Sequence, residues 1–556
     1  MKDWHEIVSQ PKYRVKSETN VYVTMRDGVR LCVDIYYPEA QGRFPALIAV
    51  SPYGKELQNL PDPVRPYNVF HGAGGVEAGN TEFWVSRGYA HVIADTRGSG
   101  YSEGRYCFYG KKEHEDGYDL VEWIAKQPWC NGNVGMIGMS YFAIIQYPIA
   151  AQNPPHLKAI APCEGLTDRY RQSCYHGGIL NYGFYARWWN LLAVPSFEPL
   201  SKNEFSKDKL DQMIVELRNH VDFKTFPVAY LPLICPEKNP ILFDLYMHPH
   251  DGPFYWERSA YTMFDKIKVP VYILNRWSGW GIHLPGAFSA YRGIDAPKKL
   301  MIFTTGVRGP DRPWSQNHYE ILRWYDHWLK EVDTGLMNEP PIKIWVQGID
   351  EWRYENEWPL ARTKWTKLFL REKGNLTEEP PGSGEKPDSF INRLYWDPKE
   401  QTPCVKYTTD PFTEDVEITG PIALYLKAML STEDANWMVD IVDIARDGSE
   451  RLVTKGWLKA SHRAIDQSKS KLYQPFHPHA ESVLVKPGEI LEYAIEIRET
   501  SNAFRAGHSL QLVIKGENSP YEDPVWYHLP NMRETKHSVY HDDHNVSYLL
   551  IPIIPR

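Results

Sequence analysis

Four short apolar runs in the first third of the chain predict buried β-strands. Each run is apolar on both faces and ends at Gly, Pro or a polar residue, as in strands covered on both sides. They are residues 44–53, 88–98, 133–140 and 157–163. Between the second and third runs, residues 114–128 have the apolar spacing of an amphipathic helix that stops at Pro128. Strands alternating with helices predict an α/β fold with a doubly wound parallel sheet.

Two further segments extend this predicted sheet. Residues 20–38 form two β-rich runs joined at Asp27-Gly28, which is typical of an antiparallel hairpin. Apolar runs return at 269–277 and 298–306, followed by an amphipathic helix with apolar residues from Ile321 to Leu329. We interpret these runs as the last two strands and the last helix of the same sheet.

The remaining chain divides into a helical insertion and a β-domain. Residues 165–263 are rich in aromatic residues, His and Pro, and contain no run that could extend the sheet, which indicates a helical cap. After about residue 345, short strands recur at turn-punctuated spacing, as in a β-sandwich or jelly roll. The predicted division is core at 1–164, cap at 165–263, core again at 264–345 and a C-terminal jelly-roll domain at 346–556.

Composition and charge exclude several classes of function. The 556 residues carry a net charge of −8, so no positive field is available to attract nucleic acid. No stretch reaches 18 uninterrupted apolar residues and the N-terminus lacks an apolar signal segment, so we expect a cytoplasmic protein without membrane contact. The seven cysteines form no CxxC pair, so we expect no zinc site, no metal and no cofactor. Whether the chain forms a homo-oligomer is left open.

One segment carries a specific chemical signal. Gly138-Met139-Ser140-Tyr141 follows an apolar strand and precedes a helical run. In a nucleophile elbow, this strand–turn–helix context projects the Ser hydroxyl above the sheet and turns the next N–H towards the developing oxyanion. The segment departs from the short motif because Phe142 stands where a small residue is usual and Ala143 follows it.

Several motifs in order resemble those of the cocaine esterase and X-Pro dipeptidyl-peptidase (CocE/NonD) hydrolases. They are RDGVRL at 26–31, SPYGK at 51–55, DTRGSGYSEG at 95–104, the GMSY elbow and YDHWLKEVDTG at 325–335. The resemblance implies an α/β-hydrolase with a helical cap and a C-terminal β-domain, and a nucleophile at Ser140. It also implies two oxyanion donors, the Tyr53 hydroxyl and the Tyr141 N–H.

The base expected from this resemblance is missing from its usual position. Family members carry P-W-x-H after the last core strand, whereas this chain has Gln316 in place of the His. His318, two residues further on, is our first choice for the base. His283 is the second choice; it lies in Gly281-Ile282-His283-Leu284, which matches a G-L-H-L motif of some family members.

The expected acid is also missing. Family members carry W-x-D after the preceding strand, and here Gly279 replaces the Asp. Glu164 directly follows the strand at 157–163, a strand end from which a carboxylate can orient the His of an α/β-hydrolase. We therefore predict Glu164 as the acid, with a structural ion pair to Arg169 or Arg171 as its alternative role. Asp168 is the competing candidate, although it could serve only as a helix cap.

These residues predict a metal-independent serine hydrolase that cleaves a small ester or amide substrate through an acyl-enzyme. The alternative is a non-hydrolytic or acyl-transferring member of the same fold that binds a small acyl compound. A sugar-binding role for the β-domain is a third hypothesis. Aromatic residues of the cap predict either an aromatic-lined pocket or the cap's own core; they are Tyr182, Phe184, Tyr185, Trp188 and Trp189.

Overall fold

A computed structural model describes residues 4–59, 77–195, 197–303, 314–392, 402–519 and 525–555. Within these ranges, no helix is both long and apolar enough to cross a bilayer. The cytoplasmic location stays a prediction.

In the described part of residues 4–355 the structure has twelve strands. In chain order they are β1 (Val15–Thr24), β2 (Arg30–Pro38), β3 (Phe44–Ser51), β4 (Ala90–Asp95), β5 (Cys130–Met139), β6 (Leu157–Cys163), β7 (Tyr175–His176), β8 (Ile179–Leu180), β9 (Val271–Arg276), β10 (Lys298–Phe303), β11 (Ile342–Val346) and β12 (Glu351–Glu355). All but β7 and β8 form one sheet in the order β1-β2-β4-β3-β5-β6-β9-β10-β11-β12. From β4 to β11 neighbouring strands run parallel, and the outer strands β1, β2 and β12 pair antiparallel.

Fourteen α-helices occur in the described residues. They are α1 (Trp4–Ile7), α2 (Thr81–Ser86), α3 (Lys111–Ala125), α4 (Tyr141–Ile144), α5 (Gln146–Ala150), α6 (Tyr182–Trp188), α7 (Ser201–Glu204), α8 (Lys207–Asn219), α9 (Val221–Lys224), α10 (Pro227–Ile234), α11 (Pro240–Met247), α12 (Pro253–Glu257), α13 (Leu284–Gly293) and α14 (Trp314–Lys330). Helices α6 to α12 lie between β8 and β9. The two-residue strands β7 and β8 pair with each other, and no strand among the described residues between 164 and 270 joins the large sheet.

The predicted α/β class is confirmed, but the sheet is longer than the sequence pattern indicated. Strand β10 was expected to be the last strand, whereas β11 pairs parallel with it and β12 pairs antiparallel with β11. Strand β11 alternates between buried and half-buried positions, so its pattern is that of a strand with one covered face. The predicted boundary at 345/346 falls at the end of β11, so the sequence pattern identified neither strand as part of this sheet and placed β12 in the β-domain.

The C-terminal segment forms a second sheet of eleven strands. They are β13 (Lys364–Arg371), β14 (Asn375–Thr377), β15 (Asp388–Asn392), β16 (Cys404–Thr408), β17 (Val416–Leu430), β18 (Asn436–Ile444), β19 (Glu450–Lys459), β20 (Ile490–Phe504), β21 (Ser509–Lys515), β22 (Thr535–Tyr540) and β23 (Tyr548–Ile553). Strand β23 pairs with both β13 and β17, so the sheet curls back on itself around an apolar core. This is the predicted C-terminal β-domain.

Candidate active site

Ser140 lies at the sharp turn between β5 and α4. Its backbone has φ 58° and ψ −116°, a conformation that residues other than glycine rarely adopt. Strained backbone of this kind is typical of functional turns. Gly138 precedes the turn with φ +136°, and a Cβ there would lie 2.2 Å from the Cβ of Phe142. The elbow therefore requires glycine at 138, because the helix returns directly over it.

The Ser140 hydroxyl contacts a histidine. Its Oγ lies 3.3 Å from Nε2 of His283. His283 stands immediately before α13, on the turn that follows β9. Two hydrogen bonds hold this turn: the His283 N–H donates to the Gly279 carbonyl at 2.9 Å, and the side-chain amide of Asn275 donates through Nδ2 to the His283 carbonyl at 3.1 Å.

Glu164 lies on the other side of the imidazole. It directly follows β6, and its N–H donates to the carbonyl of Leu274 in β9 at 2.7 Å. Its Oε2 lies 3.4 Å from Nδ1 of His283, and its Oε1 lies 3.3 Å from Nε of Arg276. The carboxylate is fully buried. The three side chains therefore form a continuous series from Ser140 through His283 to Glu164.

The electrostatics of the pair suit a neutral imidazole beside an ionised carboxylate. Burial acts to raise the pKa of Glu164, but the charge of Arg276 and the contact with His283 outweigh it and lower that pKa below its ordinary value. Burial lowers the pKa of His283, although Glu164 acts in the opposite direction. Near neutral pH, His283 therefore keeps an unprotonated nitrogen that can accept a proton.

Tyr53 follows β3, the strand next to β5. Its ring meets the ring of Tyr141 edge-on at 5.8 Å. The indole Nε1–H of Trp188, from the cap helix α6, donates to the Tyr53 hydroxyl oxygen at 2.8 Å. Because the indole supplies that hydrogen bond, the phenol acts there as an acceptor and has its own proton to donate elsewhere.

Tyr141 is the first residue of α4. The Ser140 carbonyl accepts from the N–H groups of Ala143 and Ile144, so the helix begins at the nucleophile itself. The first N–H groups of a helix have no partner within the helix, and the Tyr141 N–H is one of them. A hydrogen bond fixes the Tyr141 side chain: its hydroxyl donates to the buried carboxylate of Glu113 at 2.7 Å.

His318 does not occupy the position expected of it. Helix α14 begins at Trp314, so His318 lies within the helix rather than on a loop that could reach Ser140. Its Nε2 accepts from the Asn80 N–H at 3.3 Å, and its ring stacks on Phe83 at 4.7 Å. Burial lowers its pKa to about 3. The structure thus places His318, the first choice for the base, against Asn80 and Phe83, and His283, the second choice, against the nucleophile. Which of the two is the base stays a prediction.

The structure also gives the partners of the two acid candidates, Asp168 and Glu164. Asp168 pairs with Arg171, with Oδ2 3.0 Å from Nη1, and also accepts from the Arg171 N–H, so it acts as a local cap. Glu164 pairs with Arg276 and not with either arginine predicted as its alternative partner. Pro313 lies outside the described residues, as do the side chains of the three residues that follow it, Gln316 included.

Aromatic side chains from two parts of the chain, the cap helix α6 and the β-domain, contact one another beside the elbow. Trp188 and Phe184 stack at 5.9 Å, and Phe184 stacks on Trp526 of the β-domain at 5.5 Å. A Cβ at Gly281 would lie 2.5 Å from the Trp526 ring, so glycine lets that ring approach the His283 turn. The contribution of Trp526 could not be found from the sequence, because some 240 residues separate it from that turn.

Two residues beside the acid and base were also missed. Asn275 and Arg276 end β9, and they were interpreted only as the end of a strand. Their polar character after an apolar run was the available signal. In the part of the chain that the structure describes, no group of three or more His, Cys, Asp or Glu side chains is arranged to hold a metal ion.

Comparison with known proteins places this geometry in context. The chain is 27% identical to the cocaine esterase of Rhodococcus sp. (strain MB1 Bresler) over 97% of this chain and 98% of that protein. A CocE/NonD family hydrolase structure from Staphylococcus aureus matches with a TM-score of 0.79 at 26% identity, covering 97% of this chain and 93% of that one. An α-amino acid ester hydrolase shares the fold, with a TM-score of 0.76 at 18% identity over 98% of this chain and 97% of that one.

Two family models cover most of the chain. Residues 27–306 match the X-Pro dipeptidyl-peptidase (S15 family) model, and residues 334–550 match the X-Pro dipeptidyl-peptidase C-terminal non-catalytic domain. The first match includes the elbow, Glu164 and His283, and the second covers most of the β-domain together with β11 and β12. The chain thus belongs to the X-Pro dipeptidyl-peptidase (S15) family and is a hydrolase of the CocE/NonD type.

Proposed function

We propose that this hydrolase cleaves an ester or amide bond of a small substrate through an acyl-enzyme on Ser140. The observation that carries the proposal is the series of contacts from Ser140 through His283 to Glu164, with separations of 3.3 and 3.4 Å. Ser140, His283 and Glu164 correspond in order to the nucleophile, the base and the orienting acid of a serine hydrolase. The family's usual acid and base positions, Gly279 and Gln316, supply neither group in this chain.

In the first half of the reaction, the Ser140 Oγ attacks the substrate carbonyl and its proton passes to Nε2 of His283. Glu164 holds the tautomer with the proton on Nδ1 and stabilises the imidazolium that forms. The tetrahedral oxyanion accepts hydrogen bonds from the Tyr141 N–H and the Tyr53 hydroxyl. Both donors matter most when negative charge develops on that oxygen.

The intermediate collapses when the bond to the leaving group breaks and His283 returns its proton to the departing oxygen or nitrogen. Water then repeats the sequence on the acyl-enzyme: His283 accepts its proton, the hydroxide adds to the acyl carbon and Ser140 leaves with a proton. The carboxylic acid and the alcohol or amine are the products, and no redox step or further reactant is required.

A small acyl or aromatic group suits this site. Phe184 stacks on both Trp188 and Trp526. Trp188 donates to the Tyr53 hydroxyl at one end of this group of rings, and the Trp526 ring approaches Gly281 at the other. Such rings favour a flat or apolar group.

Covalent labelling tests this function. A fluorophosphonate should add one equivalent to Ser140, located by peptide mass spectrometry, and Ser140→Ala should abolish both labelling and turnover of a nitrophenyl ester. A matched control is Ser289→Ala, because Ser289 lies on α13 near the site but outside the proposed catalytic group. Ester turnover that survives Ser140→Ala unchanged would exclude covalent catalysis. A folded wild-type protein that neither turns over esters nor labels would favour the non-hydrolytic alternative.

A further inference from the structure

Arg276 contacts the outer oxygen of the buried acid. It is the last residue of β9, three positions before Gly279, and its Nε lies 3.3 Å from Oε1 of Glu164. The other carboxylate oxygen faces His283. The Arg276 side chain is 22% exposed whereas the Glu164 side chain is 0% exposed, so a partly hydrated cation compensates a completely desolvated anion.

A carboxylate buried this deeply needs compensation. Desolvation disfavours the charged form and can raise a carboxyl pKa by several units, whereas a cation within about 4–6 Å lowers it by about 1–3 units. Among the residues that the structure describes, Arg276 and His283 act on the charge of Glu164. The neighbouring thiol of Cys163 is uncharged, since burial raises its pKa well above the ordinary value. The charge of Arg169, which is fully buried, lowers the pKa of His283.

We propose that Arg276 is a positioning residue that keeps Glu164 ionised and directed at His283, and so maintains the working form of the pair near neutral pH. This inference rests on the proposed function. It follows from the relocation of the acid: with Gly at 279, the carboxylate comes from the end of β6, a fully buried position, and the arginine at the end of β9 supplies the balancing charge.

The charge of the Glu164–His283 pair determines the direction in which its apparent pKa shifts when Arg276 is replaced. The working form of the pair, ionised Glu164 with neutral His283, carries one negative charge, and protonation of the pair leaves none. Removing the Arg276 charge disfavours the working form relative to the protonated one. The apparent pKa of the pair therefore rises, whichever of the two residues binds the proton. The acid limb of the kcat/KM profile should move to higher pH by about one unit or more.

The experiment compares Arg276→Met, Arg276→Lys and a control. Arg371→Met is the matched control, because Arg371 is 26% exposed and its Nε bonds the carboxylate of Glu385 at 2.7 Å in the β-domain. We expect Arg276→Met to shift the acid limb of kcat/KM upward and to recover activity as the pH rises, with KM little changed. Arg276→Lys should keep the acid limb within a few tenths of a unit of the wild type, and the control should leave it in place.

Two results would overturn the inference. One is an unshifted acid limb in Arg276→Met, which would make any loss of activity a structural effect that does not depend on pH. The other is equal damage in Arg276→Met and Arg276→Lys, which would show that the charge is not the cause.

A readout independent of turnover separates this inference from the proposed function. The His283 imidazole can be titrated by NMR in ¹⁵N-histidine-labelled protein, and its signals are those that disappear in His283→Gln. Its apparent pKa should rise in Arg276→Met and not in Arg371→Met. If the wild type fails to label at Ser140, the proposed function is wrong, and the titration still decides whether Arg276 governs the Glu164–His283 pair.

Discussion

Replacing each of the two candidate histidines should separate catalysis from stability. His283 contacts the nucleophile, whereas His318 accepts a hydrogen bond from the Asn80 N–H and stacks on Phe83. In His283→Gln the base is lost while a polar side chain of similar size remains. Because base and nucleophile act as a unit, we expect kcat/KM to fall by about 10⁴-fold or more with the thermal midpoint nearly unchanged.

His318→Ala should have the opposite effect. It leaves the Asn80 N–H without its acceptor, which costs about 1–3 kcal/mol in a buried setting. It also removes the ring that stacks on Phe83, worth about 0.5–1.5 kcal/mol beyond the area it buries. The expected loss of stability is therefore about 2–4 kcal/mol, with kcat/KM within a few-fold of the wild type.

The assay pairs initial rates on a nitrophenyl ester with thermal unfolding followed by circular dichroism. Rates are measured well below the unfolding midpoint of the weaker variant, so that both variants are folded. The reasoning is refuted if folded His318→Ala loses activity by 10³-fold or more while His283→Gln retains it. That outcome would make His318 the base and the contact of His283 with Ser140 incidental.

Three further predictions concern the elbow and its surroundings. Tyr53→Phe removes the proposed oxyanion donor, and kcat should fall about 10²–10³-fold with KM retained, in steady-state kinetics; an unchanged kcat would remove Tyr53 from the mechanism. Gly138→Ala places a Cβ 2.2 Å from that of Phe142 at φ +136°, so the thermal midpoint should drop and Ser140 labelling should slow; a midpoint equal to the wild type would contradict the tight elbow. Burial raises the pKa of Glu113 from 4.5 to about 7, so wild-type stability from this group is greatest below pH 4.5 and is lost as pH rises to about 7. The free energy of unfolding of Glu113→Gln, measured with urea, should therefore rise relative to that of the wild type by up to about 3 kcal/mol between pH 4.5 and pH 7. A difference that does not change with pH would rule out the titration of Glu113.

The fold class could be predicted from local pattern. Strands β3 to β6 are buried on both faces, so their apolar runs stand out against the amphipathic helix between β4 and β5. The elbow was visible for the same reason, since Gly138 and Ser140 follow one of these runs directly. Strands β11 and β12 were not assigned to this sheet, because alternating edge strands have the same pattern as strands of the β-domain.

The partners of Ser140 depend on contacts between distant segments. Glu164 was predictable because it ends a strand neighbouring β5, and the carboxyl ends of parallel strands share one edge of the sheet. The choice between His283 and His318 was not predictable, because each follows a core strand and the sequence does not show which one reaches Ser140. In the structure, helix α14 begins at Trp314 and His318 contacts Asn80, whereas the turn after β9 brings His283 to Ser140. Periodicity reports which residues are buried, whereas the meeting of two side chains depends on how turns and helices pack across the sheet.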